Sequence, residues 1–153
     1  MAFYQFQREQ FIKASIDKIW DFISSPQNLK KVTPENMGFY ILTPNLPDKM
    51  YEGMIISYKV RPLWGIPANW VTEITHVRDK FYFVDEQSVG PYSSWHHQHI
   101  ISLLENWVLM KDIVSYKPPF GLLGRIANTL FIKIKLTEIF DYRTKAFENL
   151  FPS

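Results

Sequence analysis

Residues 95–116 read WHHQHIISLLENWVLMKDIVSY, and this stretch decides the fold. Two runs with period-two patterning flank Glu105-Asn106. A link that short joins antiparallel strands only. Strand side chains alternate in direction, so Trp95, His97, His99 and Ile101 share one face, and His96, Gln98 and Ile100 share the other. Pairing Leu104 with Trp107 sets His99 opposite Asp112, His97 opposite Val114 and Trp95 opposite Tyr116, all six on one face. A slip of one residue would turn the whole set outward.

The same periodicity extends from Gly38 to Tyr116. It predicts six strands at about 38–43, 54–61, 68–77, 81–88, 92–104 and 107–116, with turn signals between them. A further strand is expected within 3–13, ending at Phe11-Ile12. Ser15 then caps a helix whose apolar positions Ile16, Ile19, Trp20 and Ile23 are spaced i, i+3, i+4, i+7. Ser25-Pro26 opens a second short helix through Val32, and Thr33-Pro34 ends it. After Pro118-Pro119 comes one long helix over 121–150, about 45 Å at 1.5 Å per residue. Each element has one apolar face to bury. The order therefore predicts an α+β fold: a strongly curved seven-stranded antiparallel sheet gripping a long C-terminal helix, with two short helices between strands 1 and 2.

The chain of 153 residues is expected to form a single domain. It has no cysteine, which excludes disulfides and thiolate chemistry. The net charge of +2 comes from scattered basic residues and leaves no nucleic-acid footprint. The N-terminal residues lack a signal-peptide pattern, and the apolar stretch 122–136 carries Arg125, Lys133 and Lys135. A cytoplasmic protein with no integral membrane segment is the expectation. Aromatic residues make up 16% of the chain, enough to wall a cavity as well as fill a core.

Several motifs resemble the SRPBCC, or Bet v 1-like, superfamily of plant pollen allergens, lipid-transfer START domains and polyketide cyclases. They are Gly90-Pro91-Tyr92, Trp95-x-His97-x-His99, Asp112-x-Val114-x-Tyr116 and Pro119-Phe120-Gly121-x-Leu123-Gly124. Asn28-Leu29, Thr33-Pro34 and Phe83-x-Asp85-x-Gln87 also fit, and together they look like a branch of small bacterial SRPBCC proteins. The resemblance implies a helix-grip fold. Its members include carriers, receptors and enzymes, so it does not by itself choose a function.

The histidine stripe has three readings. His99 and Asp112 form a satisfied buried pair; the stripe is the polar end of a ligand cavity; or the histidines hold a metal. Two histidines at i, i+2 fall short of the three protein ligands a catalytic zinc usually has, and His76 lies far along another strand, so no metal and no cofactor are expected. Parity adds Tyr58, Trp70, Phe83 and Asp85 to the candidate lining, with Phe140 from the long helix. Asp85 is expected to bond a hydroxyl such as Thr72 or a tyrosine. Arg143 either closes the cavity together with Phe140 or, the favoured expectation, faces outward in a salt bridge. Alternate turns of a meander emerge at one end, which places Trp64, Ile66, Tyr92, Phe120 and Leu123 at a cavity mouth. The expected ligand set is Tyr58, Trp70, Phe83, Asp85, Trp95, His97, His99, Asp112, Tyr116, Phe120 and Phe140. The expected partner is a small, mostly hydrophobic molecule: a lipid, an isoprenoid quinone or an aromatic, polyketide-like compound. The alternative is a cyclase- or dehydratase-like enzyme in which His99, oriented by Asp112, is a general base.

Overall fold

The structure, a computed structural model, describes residues 3–153. Strand β1 (Tyr4–Ile12) leads into helix α1 (Ile16–Ile23), a 3-10 segment (Pro26–Val32) and a 3-10 turn (Glu35–Met37). Six strands follow: β2 (Tyr40–Ile41), β3 (Ile55–Leu63), β4 (Ile66–Arg78), β5 (Tyr82–Val89), β6 (Ser94–Leu104) and β7 (Trp107–Lys117). The C-terminal helix comprises α2 (Gly121–Ala127), a π-helical turn (Asn128–Ile132) and α3 (Lys133–Leu150).

The seven strands form one antiparallel sheet in the order β1-β7-β6-β5-β4-β3-β2. Consecutive strands β1 and β2 therefore sit at opposite edges, and α1 with the 3-10 segments must cross the open side between them. Ser15 caps α1 by accepting from the Lys18 N–H at 3.3 Å. The α1 face of Ile19, Trp20 and Ile23 is buried, with Trp20 edge-on to Phe83 at 6.3 Å. It closes one end of the molecule in a cluster with Ile74, Ile101, Met110 and Phe147.

The β6–β7 register is the expected one: Leu104 faces Trp107, His99 faces Asp112, His97 faces Val114 and Trp95 faces Tyr116. Four local expectations give way. The strand expected over 38–43 shrinks to Tyr40–Ile41. The segment from Pro26 is 3-10 rather than α, with a second such turn before Gly38. The link expected over 62–67 is a tight hairpin, because Trp64 (φ 53°) and Gly65 (φ 68°) both adopt left-handed backbone and match the strand twist.

The long helix is the fourth case. Asn128 is 1% exposed and accepts a hydrogen bond from the Tyr116 hydroxyl at 2.5 Å. One wide turn brings that amide inward while Ile132 also stays buried. At the helix start only glycine fits position 124, where a Cβ would lie 1.9 Å from the Pro119 carbonyl oxygen.

Candidate ligand-binding site

Between the apolar cluster under α1 and a second one formed by Val114, Tyr116, Ile132, Leu136 and Phe140, sheet and helix do not meet. A hollow of about 160 Å³ remains. Its walls are largely aromatic. Trp70 stands edge-on to Trp95 (5.2 Å) and to Tyr92 (5.7 Å), stacks with Tyr58 at 6.2 Å, and Phe39 packs on Tyr58 at 4.9 Å. Burial holds the Tyr58 and Tyr92 hydroxyls well above the usual phenol range. Both therefore enter the site as neutral groups.

One end of the hollow is polar. The imidazoles of His97 and His99 stack with centroids 3.6 Å apart, and Phe83 covers the other face of His99 at 4.0 Å. Asp85 on β5 is directly opposite His97, and Asp112 on β7 is directly opposite His99. Each carboxylate bonds the diagonal ring instead. Asp85 Oδ2 accepts from His99 Nε2 at 2.6 Å, and Asp112 Oδ1 accepts from His97 Nε2 at 2.9 Å. Diagonal neighbours on a twisted sheet are within reach of side chains this long.

Longer contacts complete the cluster. His97 Nδ1 is 3.7 Å from Asp85 Oδ2, His99 Nδ1 is 3.3 Å from Asp112 Oδ1, and Arg143 Nη2 is 3.8 Å from Asp112 Oδ1. The His99 Nδ1 contact is a charge contact, misaligned for a hydrogen bond, so that atom has no hydrogen-bond partner.

The cluster is neutral with a single imidazolium: Arg143 and one charged ring balance two carboxylates. The two rings part company accordingly. For His99, burial opposes the charge, but the close contact with Asp112 and the hydrogen bond to Asp85 prevail and raise its pKa above 6.5. For His97, burial and repulsion from His99 prevail and lower it. For Asp112, burial is outweighed by Arg143 and the two imidazoles, so its pKa falls well below 3.8. Asp85 is lowered against burial by its bond to His99 and by nearby positive charge. The charged ring is thus His99, locked between carboxylates. His97 is neutral, with Nε2 donating to Asp112 and Nδ1 left as an acceptor.

The architecture recurs among solved structures. A START superfamily protein from Mycobacterium smegmatis matches with TM-score 0.71 at 15% identity, over 96% of each chain. Ginseng major latex-like protein 151 from Panax ginseng matches with TM-score 0.68 at 10% identity, over 99% of each chain. Ara h 8.0201 matches with TM-score 0.64 at 11% identity, over 97% of this chain and 99% of that one. The chain has the helix-grip fold. No protein-family model and no curated protein sequence matches it.

Within the helix-grip frame, Tyr58, Trp70, Phe83, Asp85, Tyr92, Trp95, His97, His99 and Phe140 line the hollow. Other expected positions do not. Asp112 lies behind His97 and acts through that ring. Tyr116 is turned to Asn128, with burial pushing its pKa up to about 12. Phe120, Trp64, Ile66 and Leu123 are exposed outside the wall. Asp85 bonds His99 rather than a hydroxyl, because Thr72 is already taken by Trp70 Nε1 (3.1 Å) and the Tyr58 hydroxyl (3.3 Å). His99 keeps a charge contact with Asp112 at 3.3 Å, but it hydrogen-bonds Asp85, and the hydrogen bond to Asp112 comes from His97 instead.

Arg143 points inward, packed over Phe140 and Phe147 at 5.9 and 5.6 Å. Of its two expected positions this is the one beside Phe140 at the hollow, not the favoured outward one. The 3-10 region also contributes unexpected wall residues, Leu29, Val32, Thr33, Met37 and Phe39. The one available signal for Arg143 was its position three residues after Phe140, on the same helix face.

Asp85, His97 and His99 offer three donor atoms within 4.8 Å of one another, a larger donor set than the two histidines considered above. Their geometry opposes a shared ion. A ring nitrogen binds a metal in the plane of its ring, and two stacked rings only 28° from parallel direct their lone pairs alongside each other. Asp85 Oδ2 and His99 Nε2, 2.6 Å apart, are already joined by a hydrogen bond.

Proposed function

We propose that the chain is a single binding domain for a small aromatic molecule carrying one hydroxyl or other hydrogen-bond donor. The observation that carries this reading is the combination of an aromatic hollow of about 160 Å³ with one polar end that presents acceptors. A cavity of about 150 Å³ holds a benzene ring. The volume therefore suits a substituted single ring better than an extended lipid chain. His97 Nδ1 and Asp85 Oδ2 are two acceptors 3.7 Å apart, so a hydroxyl placed beside them can donate its proton to either one.

Calorimetry with 4-ethylphenol and 4-ethyltoluene tests this. The phenol should bind, and the hydrocarbon, which puts a methyl group of similar size where the hydroxyl was, should bind at least about tenfold more weakly. His97→Ala should remove that preference while the domain stays folded. Equal affinities would end the reading, as would binding of neither compound together with no co-purifying small molecule in native mass spectrometry.

One observation favours a second reading, an enzyme of the cyclase or dehydratase kind. A neutral imidazole oriented by a carboxylate is a competent general base. The base is then His97 with Asp112, rather than His99. In that case Asp112→Asn should abolish turnover of an enolisable polyketide-like substrate while leaving its binding intact. Turnover unchanged in that variant would refute the enzyme reading.

A further inference from the structure

We propose that the end of the molecule formed by the β3–β4 hairpin and the first half of the C-terminal helix docks on the surface of an anionic lipid bilayer. The C-terminal helix is amphipathic in the reverse of the usual sense over this region. Asn128 is buried, while Leu122, Ile126, Leu130 and Ile134, spaced four apart, form an exposed stripe. A solvent-facing helix surface is ordinarily polar. Phe120, just before the helix, is 82% exposed and holds left-handed backbone (φ 64°). Across from the helix, Trp64 at the hairpin tip is 65% exposed and meets Phe131 edge-on at 5.0 Å. Hairpin tip and helix thus present one joined apolar surface, and Lys135 and Pro62 link it to the wall of the hollow.

Charge identifies the partner. Residues 53–72 contain Lys59 and Arg61 and no carboxylate; residues 113–137 contain Lys117, Arg125, Lys133 and Lys135 and no carboxylate. Of these six cations only Lys135 forms an ion pair among the described residues, with Glu138 at 3.7 Å, which leaves five concentrated at this end of a chain of net charge +2. The opposite end shows the contrast. Phe81, Leu103, Leu104 and Trp107 are also exposed there, but Asp79 and Glu105 stand among them. Exposed aliphatic and aromatic side chains flanked mainly by lysine and arginine suit a helix lying in the headgroup plane of anionic lipid. No helix among the described residues is long and apolar enough to cross a membrane, so the contact is peripheral.

Co-sedimentation of the ligand-free chain with phosphatidylcholine vesicles, with and without about one-third phosphatidylglycerol, tests the proposal independently of what the hollow binds. The protein should partition onto the anionic vesicles and come off as salt is raised. Phe120→Asn with Leu123→Ser should lower the partition at least about tenfold. Asparagine tolerates the left-handed backbone, and both sites are exposed, so circular dichroism should be unchanged. Arg125→Glu with Lys133→Glu should lower it about tenfold or more on the anionic vesicles only. Phe81→Ser with Leu103→Ser, at the other end, should change nothing. No binding to anionic vesicles, or binding indifferent to both pairs, overturns the proposal. A dimer by light scattering that Phe120→Asn with Leu123→Ser dissociates, without vesicle binding, would assign the surface to a second copy and overturn it equally.

Discussion

Strands β6 and β7 run through two very different interiors. At one end Ile101, Val108 and Met110 lock into α1 and Phe147. Two to four residues away on the same two strands, His97, His99 and Asp112 occupy the same face, and the two imidazoles border a hollow. The backbone ladder is continuous through both. The difference lies in what each half could put in place of water. Aliphatic side chains interdigitate and exclude it. Rings and charges in a fixed network cannot collapse to fill space without leaving polar atoms unpaired. The packed half is the source of stability, and the half-polar end stays open because its hydrogen bonds hold it open.

Substitutions should separate the two halves in order of cost. Phe147→Ala, at a side chain 0% exposed, should lose about 3–5 kcal/mol in urea unfolding, without changing phenol affinity in the folded fraction. A loss under about 1 kcal/mol there would mean that the two halves are packed alike. Asp112→Ala strands Arg143 and His97 without their carboxylate. It should cost about 3 kcal/mol, with Asp112→Asn clearly milder because an acceptor remains. Equal costs for the two variants would show that charge, not hydrogen bonding, holds the network.

The smallest effect is on the pH dependence of stability. His99, raised above 6.5, contributes stability that is present below pH 6.5 and lost as pH rises through its raised value. His97, lowered, has the opposite sign: its contribution is present above pH 6.5 and lost as pH falls through its lowered value. Stability therefore peaks near pH 6.5 and declines on either side, toward lower pH through His97 and toward higher pH through His99. Asp85→Asn removes one of the two carboxylates that raise His99, so the decline above pH 6.5 should flatten. Asp85 and Asp112, both lowered, contribute stability present above the ordinary carboxylate value of 3.8 and lost as pH falls below it. Denaturant titrations at fixed pH values read both limbs, and an unchanged neutral slope in Asp85→Asn would contradict the assignment of the charged ring.

The parts legible in the sequence are those tied to a short turn. Glu105-Asn106 leaves two residues between strands and allows few registers, so the β6–β7 pairing and its inward face follow from alternation alone. The β5–β6 link gives no such constraint. Between Val89 and Ser94 the chain turns through residues that fit more than one register, so the meeting of Asp85 with His97 and His99 could not be counted off. Even correct pairings mislead at the level of atoms, since both carboxylates pass over the ring facing them. Arg143 is ambiguous for another reason. Its place three residues after Phe140 allows it to reach the hollow, while its charge favours solvent, and only the buried carboxylate of Asp112 decides between them. Exposure of Phe120 and Trp64 was read as a doorway, because pattern alone cannot tell a ring beside an opening from one turned away from it.

The sandwich of Phe83, His99 and His97 has a spectroscopic consequence. Protons on the middle imidazole lie in the shielding region of a phenyl ring on one side and of a second imidazole on the other, so their magnetic resonance lines fall upfield of ordinary histidine signals. His76, exposed on another strand, supplies an unshifted reference in the same spectrum. Nature has in effect labelled the one charged ring of the cluster, and its protonation state can be followed through the arrival of a guest without attaching any probe.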